Sequence, residues 1–236
     1  MKKLTVIEAE ALATKFRSGN GLSQFEPINA KTLLRKLNIT TMYRPLSDDS
    51  YGISCRSNTG KMFMLVNSNT TRGRQHFTIA HELYHLFYDN EPTPHMCFGT
   101  STGEERNANM FASALLLPRE GILQMISAKE ITHRKVELAT VLRMEQMYQV
   151  SRINLLLRLK ELGLITETLL QQLQAIPVKD SAREYGYDMS LYEPGNNGLF
   201  IGDFGEKARI LFESEKISEG HYIELLNMIS NGREEN

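Results

Sequence analysis

Apolar residues recur at helical spacing over most of this chain, and three short β-like runs fall between residues 39 and 66. Apolar residues every three to four positions indicate a helix with one buried face, whereas short runs of β-branched and aromatic residues between turns indicate strands. The pattern predicts helices at residues 5–18, 29–37, 74–89 and 103–117. It predicts strands at residues 39–44, 51–57 and 61–66, which turns would join into a small antiparallel sheet.

The second half of the chain is predicted to be almost wholly helical between residues 121 and 175. One of its helices begins at Ser151, a favoured N-cap residue, and ends at Gly163, which an apolar residue follows. Residues 176–198 are rich in Pro, Gly and Asn and are interpreted as a linker. A short β-like run and one or two helices follow, so the predicted fold class is α+β and mostly helical.

The bulk composition is that of an ordinary globular protein. The 236 residues are 41% hydrophobic and 23% charged, and the formal net charge of −1 gives no bulk attraction to DNA or to anionic membranes. No apolar run approaches the roughly 18 residues of a membrane span, and Glu8 and Glu10 interrupt what a signal peptide would need. Only Cys55 and Cys97 are present, which argues against a disulfide scaffold. We therefore expect a cytoplasmic protein without a membrane segment.

The segment RQHFTIAHELYHLFYDN carries His81 and His85 one helical turn apart, with Glu82 between them. Each residue turns a helix by about 100°, so the two imidazoles share one face and can bind one zinc ion. Glu82 lies about a quarter-turn away, where its carboxylate can reach a water on that metal. The competing interpretation is an ordinary polar helix face, since such a motif arises by chance in roughly one chain in a hundred. The apolar opposite face, which includes Leu83 and Leu86, favours the metal site.

Catalytic zinc takes a third protein ligand and keeps an open position, and the helix at residues 103–117 offers Glu104 and Glu105. The two carboxylates diverge by about 100°, so only one can face a given partner. Glu105 shares its face with Asn109 and a small alanine, which leaves room for a site. The alternative is a capping box from Thr102 to Glu105, but a second box from residue 101 to Glu104 fits equally well and would leave Glu105 free.

These residues carry a family resemblance. The helix pattern RQHFTIAHELYH followed by EERNANMFASALLLP resembles the ImmA/IrrE family of zinc metallopeptidases, and the likeness spans about residues 28–165. The resemblance implies that His81, His85 and Glu105 bind Zn²⁺ and that Glu82 is the catalytic base. Similar ligands also accept manganese or iron. We predict three parts: a zincin-like metallopeptidase domain at 1–120, a helix-turn-helix-like segment at 121–178, and a linker with a small C-terminal α/β tail at 179–236.

The sequence departs from the family pattern at two positions and leaves the oxyanion donor open. Tyr84 stands where a glycine is common, so the ligand helix is expected to pack closely on a neighbour. Asp89 stands where many members have a histidine, and it either orients an imidazole or lies in solvent. Tyr88 and Asn109 are further candidates for a supporting or oxyanion-stabilising role, with packing as the alternative for Tyr88.

The family resemblance also implies a substrate, because such peptidases typically cleave a helix-turn-helix transcriptional repressor. We expect that repressor to be a separately encoded protein. One rival hypothesis is a DNA-binding regulator, in which the helix after Ser151 presents Arg152, Arg158 and Lys160 to DNA. The many leucines of this helix and the absence of a strong basic patch make direct nucleic-acid binding a poor fit. A second rival is a metal-binding regulatory or toxin-type module without proteolysis.

Overall fold

The computed structural model describes residues 3–47, 49–88, 95–98 and 103–230. The helices in these ranges are α1 (Val6–Gly19), α2 (Ala30–Lys36), α3 (Arg72–Tyr88), α4 (Gly103–Leu116), α5 (Arg119–Met125), α6 (Ala128–His133), α7 (Leu138–Tyr148), α8 (Arg152–Glu161), α9 (Glu167–Ala175), α10 (Val178–Glu184), α11 (Phe204–Glu213) and α12 (Glu219–Ser230). The strands are β1 (Ile39–Arg44), β2 (Ser50–Arg56), β3 (Met62–Asn67), β4 (His95–Phe98) and β5 (Phe200–Ile201), and a 3₁₀ turn spans Ser190–Tyr192. The predicted mostly helical α+β class is confirmed.

The helix boundaries follow local signals in the sequence. A reciprocal capping box between Thr5 and Glu8 starts α1, and the Asn29 side chain accepts a hydrogen bond that starts α2. The chain leaves α8 through Gly163 at φ 71°, as predicted, and Ser151 occupies the N-cap position without a side-chain cap bond. None of the described helices combines the length and the apolar character that crossing a membrane requires.

The sheet is mixed, so the prediction of an antiparallel sheet is wrong in one pairing. Its strand order is β4-β2-β3-β1-β5, with the two-residue β5 at one edge. Strand β1 pairs with β3 in parallel, from Ile39 opposite Met62 to Arg44 opposite Asn67. The other pairings are antiparallel. Strands β4 and β5 extend the predicted three-stranded unit, and only β5 lies in a segment with a β-like sequence.

Strands β1 and β2 lie on either side of β3, so the connection between them passes over the end of β3. This connection allows β3 to pair in parallel with β1. The fully buried Asn67 at the end of β3 holds this connection, because its side-chain nitrogen donates to the carbonyl oxygens of Ser47 and Ser50 at 3.1 and 2.7 Å. Its side-chain oxygen accepts from the Leu46 amide at 3.0 Å. The β1–β2 connection has no neighbouring strand to pair with, so the Asn67 side chain supplies hydrogen bonds to its backbone groups in place of a strand.

Helix α3 lies at the centre of the molecule, between the sheet and α4. It contributes to a single hydrophobic cluster that also takes in residues from both halves of the chain, among them Leu34, Phe111, Val141 and Leu156. The helices after residue 120 therefore pack on the same core as those before it. The proposed division of the chain at residues 120 and 178 stays a prediction.

The interpretation of residues 176–198 as a plain linker is wrong. This segment contains α10 and the 3₁₀ turn, and Ala182, Leu191 and Tyr192 are buried in a second cluster with Leu142 of α7. The segment also contacts the start of α3, where the Gln75 side chain donates to the Gly195 carbonyl at 2.9 Å. Its Pro, Gly and Asn residues shape the turns, but buried apolar contacts decide where the segment lies.

A buried ion pair connects this segment to the α7–α8 helix pair. Arg152 is 3% exposed and donates to Glu145, which is fully buried, at 2.6 Å. Arg152 also donates to the Ser181 hydroxyl at 3.0 Å, and the Tyr192 hydroxyl donates to Glu145 at 2.7 Å. Burial and the neighbouring Glu145 charge raise the pKa of Tyr192, so its hydroxyl keeps its proton. The network satisfies both charges inside the protein.

Replacing Arg152 with methionine is expected to lower the free energy of unfolding by about 3–5 kcal/mol, because the buried Glu145 charge loses its partner. Urea denaturation followed by circular dichroism measures this change. The matched control is Arg209→Met, since Arg209 forms an exposed ion pair with Glu213 at 2.7 Å and the loss of such a pair leaves stability nearly unchanged. Equal losses in the two variants would contradict the assigned role of the buried pair.

Candidate active site

Three buried side chains meet where α3 contacts α4. His81 Nε2 lies 3.1 Å from His85 Nε2 and 3.1 Å from Glu105 Oε2, and His85 Nε2 lies 3.8 Å from Glu105 Oε1. The possible ligand atoms all fall within 4.8 Å of one another, which makes this group able to hold a metal ion. The exposed fractions of His81, His85 and Glu105 are 2%, 5% and 7%. Solvent therefore does little to compensate the carboxylate charge.

The helical phase of the two segments brings this group together. The four-residue spacing on α3 directs both imidazoles toward α4, and Glu105 occupies the first turns of α4 on the facing side. Tyr84 helps to hold the two helices together, because its ring contacts Phe111 of α4 with centroids 5.8 Å apart. The same ring meets the His85 imidazole edge-on at 5.7 Å. The tyrosine at this position thus packs the histidine helix against its neighbour, as the sequence predicts.

Asn109 lies one turn after Glu105 and contacts the far side of the His81 ring. His81 Nδ1 is 2.9 Å from Asn109 Oδ1. A carboxamide oxygen only accepts hydrogen bonds, so the proton of the neutral imidazole resides on Nδ1 and the Nε2 lone pair faces Glu105 and His85. This arrangement fixes both the tautomer and the orientation of His81.

Glu82 points from α3 toward the sheet and is fully buried. The Ser54 hydroxyl of β2 donates to Glu82 Oε2 at 2.5 Å. Ser54 is not among the residues predicted from the sequence. A signal was present, because Ser50, Gly52 and Ser54 place three small residues on one face of β2 at a spacing of two. A strand face of small residues allows a helix to approach closely.

The approach of α3 to β2 requires glycine at position 52. A Cβ atom added there would lie 2.7 Å from Thr78 Cγ2, 3.1 Å from the Leu65 carbonyl oxygen and 3.4 Å from Glu82 Oε1. The first distance is too short for two carbon atoms, so a side chain at this position would separate the strand from the helix. Gly52 thus sets how close Ser54 comes to Glu82.

The remaining sequence candidates have different surroundings. Tyr88 packs its ring on Tyr84 and Phe111, with centroids 5.7 and 5.3 Å away, and burial raises the pKa of its phenol. These contacts are those of a packing residue, so an oxyanion role for Tyr88 stays a prediction. Asp89, Thr102 and the Glu104 side chain lie outside the described residues, as does the capping box that would have used Glu105.

The two arginines of the DNA-binding hypothesis lie in the interior. Arg152 forms the ion pair with Glu145, and Arg158 is 1% exposed. Arg158 donates to Glu10 at 2.7 Å and to Glu161 at 2.5 Å. Helix α8 therefore uses both guanidinium groups to attach itself to other elements of the protein, and it does not present them to DNA phosphates.

A protein-family profile described as Peptidase_M78, IrrE N-terminal-like domain, matches residues 34–160. The matched range covers more than half of the chain and runs from α2 to the end of α8. The chain belongs to this ImmA/IrrE metallopeptidase family. The buried group of two histidines and a glutamate lies within the matched range, as expected for a metallopeptidase of this family. A comparison with curated proteins gives no match.

In this ImmA/IrrE peptidase, Gly52→Ala is expected to lower the free energy of unfolding by about 1–3 kcal/mol, because the new methyl group collides with Thr78. Urea denaturation measures the loss. Gly19→Ala is the control, since a Cβ at position 19 meets nothing within 4 Å. Adding Thr78→Ser removes the colliding methyl group, so the double variant should regain most of the stability; no recovery would show that the clash lies elsewhere.

Proposed function

We propose that the chain is a zinc-dependent endopeptidase that hydrolyses a peptide bond in a protein substrate. The carrying observation is the buried convergence of His81, His85 and Glu105 beside Glu82, in a chain of the ImmA/IrrE family. Two imidazole nitrogens and one carboxylate are a donor set that catalytic zinc takes with one position left open. The residues present thus fit the cation that the family implies, and a zincin-like fold for residues 1–120 is part of this proposal.

His81, His85 and Glu105 are assigned to hold the ion. Zinc, when bound, supplies Lewis-acid activation of water and of the scissile carbonyl group. Asn109 supports the site, because its side-chain oxygen keeps the proton of His81 on Nδ1 and leaves Nε2 available as a donor atom. The same donor set accepts manganese or iron, so the metal content of the purified protein decides the identity of the ion.

Glu82 is assigned the role of general base and then general acid. Its carboxylate accepts a proton from the attacking water and passes that proton to the nitrogen of the departing amine. The Ser54 hydroxyl fixes one carboxylate oxygen through its 2.5 Å hydrogen bond, so the side chain keeps one orientation through both transfers. Burial excludes bulk solvent from the carboxylate and strengthens this interaction.

The proposed substrate is a helix-turn-helix repressor encoded by a separate gene. The family supports this assignment, since ImmA/IrrE peptidases typically act on such repressors, and a peptidase of any kind requires a protein or peptide substrate. Cleavage would remove the repressor from its operator and so release the genes that it controls. The regulatory module without proteolysis is the alternative that the following experiment separates.

Glu82→Gln is expected to retain the metal and to lose at least about a hundredfold in cleavage rate, because the proton acceptor is removed. The zinc-loaded protein is mixed with the repressor encoded beside it, and fragments are quantified by mass spectrometry. Metal content is measured in parallel by atomic emission. Glu120→Gln, an exposed change on α5, is the control. If Glu82→Gln still releases the genes that the repressor controls, the protein is instead a module that acts by binding.

Glu105→Gln is expected to lower zinc affinity by at least about tenfold, because a neutral amide replaces the anionic ligand. Competition with a coloured chelator measures the affinity without any need for a substrate. The adjacent Glu104→Gln is the matched control and should bind zinc as the unaltered protein does. The opposite ranking of the two variants would transfer the ligand role to Glu104.

A further inference from the structure

A cleft of about 330 Å³ opens between α3, α4 and α8, beside the proposed catalytic centre. Asn109 connects the cleft with the proposed catalytic centre, because its side chain lines the cleft and accepts a hydrogen bond from His81. Phe77, which also lines the cleft, precedes His81 by four residues and so lies one helical turn from it. A chain that occupies the cleft would therefore extend toward the three proposed ligands.

Two arginines of the cleft have no carboxylate partner among the described residues, although the whole protein has a net charge of −1. Arg106 is exposed and makes no ion pair or hydrogen bond with the described part of the chain. The Arg74 guanidinium lies 3.9 Å from the centre of the Tyr51 ring and faces no carboxylate among the described residues. The acidic residue of the lining, Glu161, is paired with Arg158. An anionic group is the complementary ligand.

A buried hydrogen-bond donor in the same cleft also lacks a partner. Asn154 of α8 is only 8% exposed, and its side-chain nitrogen has no acceptor among the residues that the structure describes. A donor left unsatisfied is costly, so a ligand that excludes water from the cleft must supply an acceptor in its place. A carboxylate or a peptide carbonyl oxygen would supply the missing acceptor.

Apolar surface completes the cleft wall. Leu157 of α8 is 50% exposed, and Phe77 and Met110 are half-buried beside it. A ligand that only presents phosphate would leave this surface in contact with water. Two guanidinium groups without a carboxylate partner in the described chain are also too few for the array of cations that a nucleic-acid backbone requires. The wall therefore favours a peptide with both acidic and apolar side chains.

We propose that this cleft is the specificity site of the peptidase and binds a substrate segment with an acidic side chain next to an apolar one. Arg74 and Arg106 supply the complementary charge, the Asn154 side chain donates a hydrogen bond, and Leu157 covers the apolar residue. The inference rests on the proposed function for its biological role, since it assigns the class of sequence that the peptidase selects. The binding itself does not require catalysis.

The first test measures binding with zinc-loaded Glu82→Gln, which leaves the peptides uncut. The probes are two ten-residue synthetic peptides with a neutral dye, identical except that one has Glu beside Leu and the other has Lys. Fluorescence anisotropy should show the Glu peptide binding roughly tenfold more tightly, with the difference shrinking as salt increases. Equal affinities for the two peptides would overturn the proposal.

Three further changes in the same protein locate the binding. Arg106→Glu and Asn154→Asp should each abolish the preference, since the first reverses a charge and the second replaces a donor with a carboxylate of nearly the same shape. Arg35→Glu is the matched control, because Arg35 is exposed on α2 and also lacks an ion pair in the described chain. A preference that survives Arg106→Glu would place the binding elsewhere. Circular dichroism confirms that each variant is folded.

The second test measures selection during cleavage. Zinc-loaded protein with Glu82 intact is incubated with peptides from a digested bacterial proteome, and cleaved sequences are identified by mass spectrometry. Acidic residues should be enriched near the cleaved bonds, and Arg106→Glu should remove the enrichment. Selective binding without any cleavage would refute the proposed function and leave the cleft assignment standing. Cleavage without enrichment of acidic residues would refute the cleft assignment. The assignment would also be refuted if the protein bound duplex DNA more tightly than either peptide and if this binding depended on Arg106.

Discussion

A carboxylate is costly to bury, and Glu105 is buried against two imidazoles at the contact between α3 and α4. A cation bound between the three side chains would offset this cost, and the surrounding structure keeps the three side chains facing one another. Tyr84 and Phe111 hold the helices together, Asn109 orients one imidazole, and Gly52 admits the sheet close to Glu82. The candidate site therefore depends on helix and strand packing as much as on the three side chains themselves.

The helices after residue 120 pack on the same hydrophobic core as α3 and α4, and one of them, α8, forms a wall of the neighbouring cleft. Their arginines, which made a DNA-binding role conceivable, bind internal carboxylates: Arg152 pairs with Glu145 and Arg158 with Glu10. The side of α8 that faces the cleft instead carries the half-exposed Leu157 and the buried Asn154. A segment with the spacing of a helix-turn-helix thus serves as scaffold and as a wall of the proposed substrate site.

Most helices could be predicted from the sequence, because their apolar periodicity and caps are local properties. The parallel pairing of β1 with β3 could not, since it depends on the buried Asn67 and on a crossover that no residue pattern marks. The segment at 176–198 has the composition of a linker, yet Tyr192 and Ser181 attach it to a buried ion pair formed by distant residues. Composition reports local flexibility, whereas burial depends on the remainder of the fold.

By itself the sequence determined the two-histidine motif, the helix that carries it and the candidate glutamates, because helical periodicity fixes which side chains share a face. It favoured Glu105 over Glu104 as the third ligand, but it could not show that Glu105 lies beside the two imidazoles. The small residues of β2 were visible in the sequence, but nothing there connected Ser54 with Glu82, and nothing pointed to Asn154 or Arg106. The tertiary structure decided these points, since they depend on distances between side chains on separate elements. Such distances follow from how the helices and the sheet pack, which no local pattern encodes.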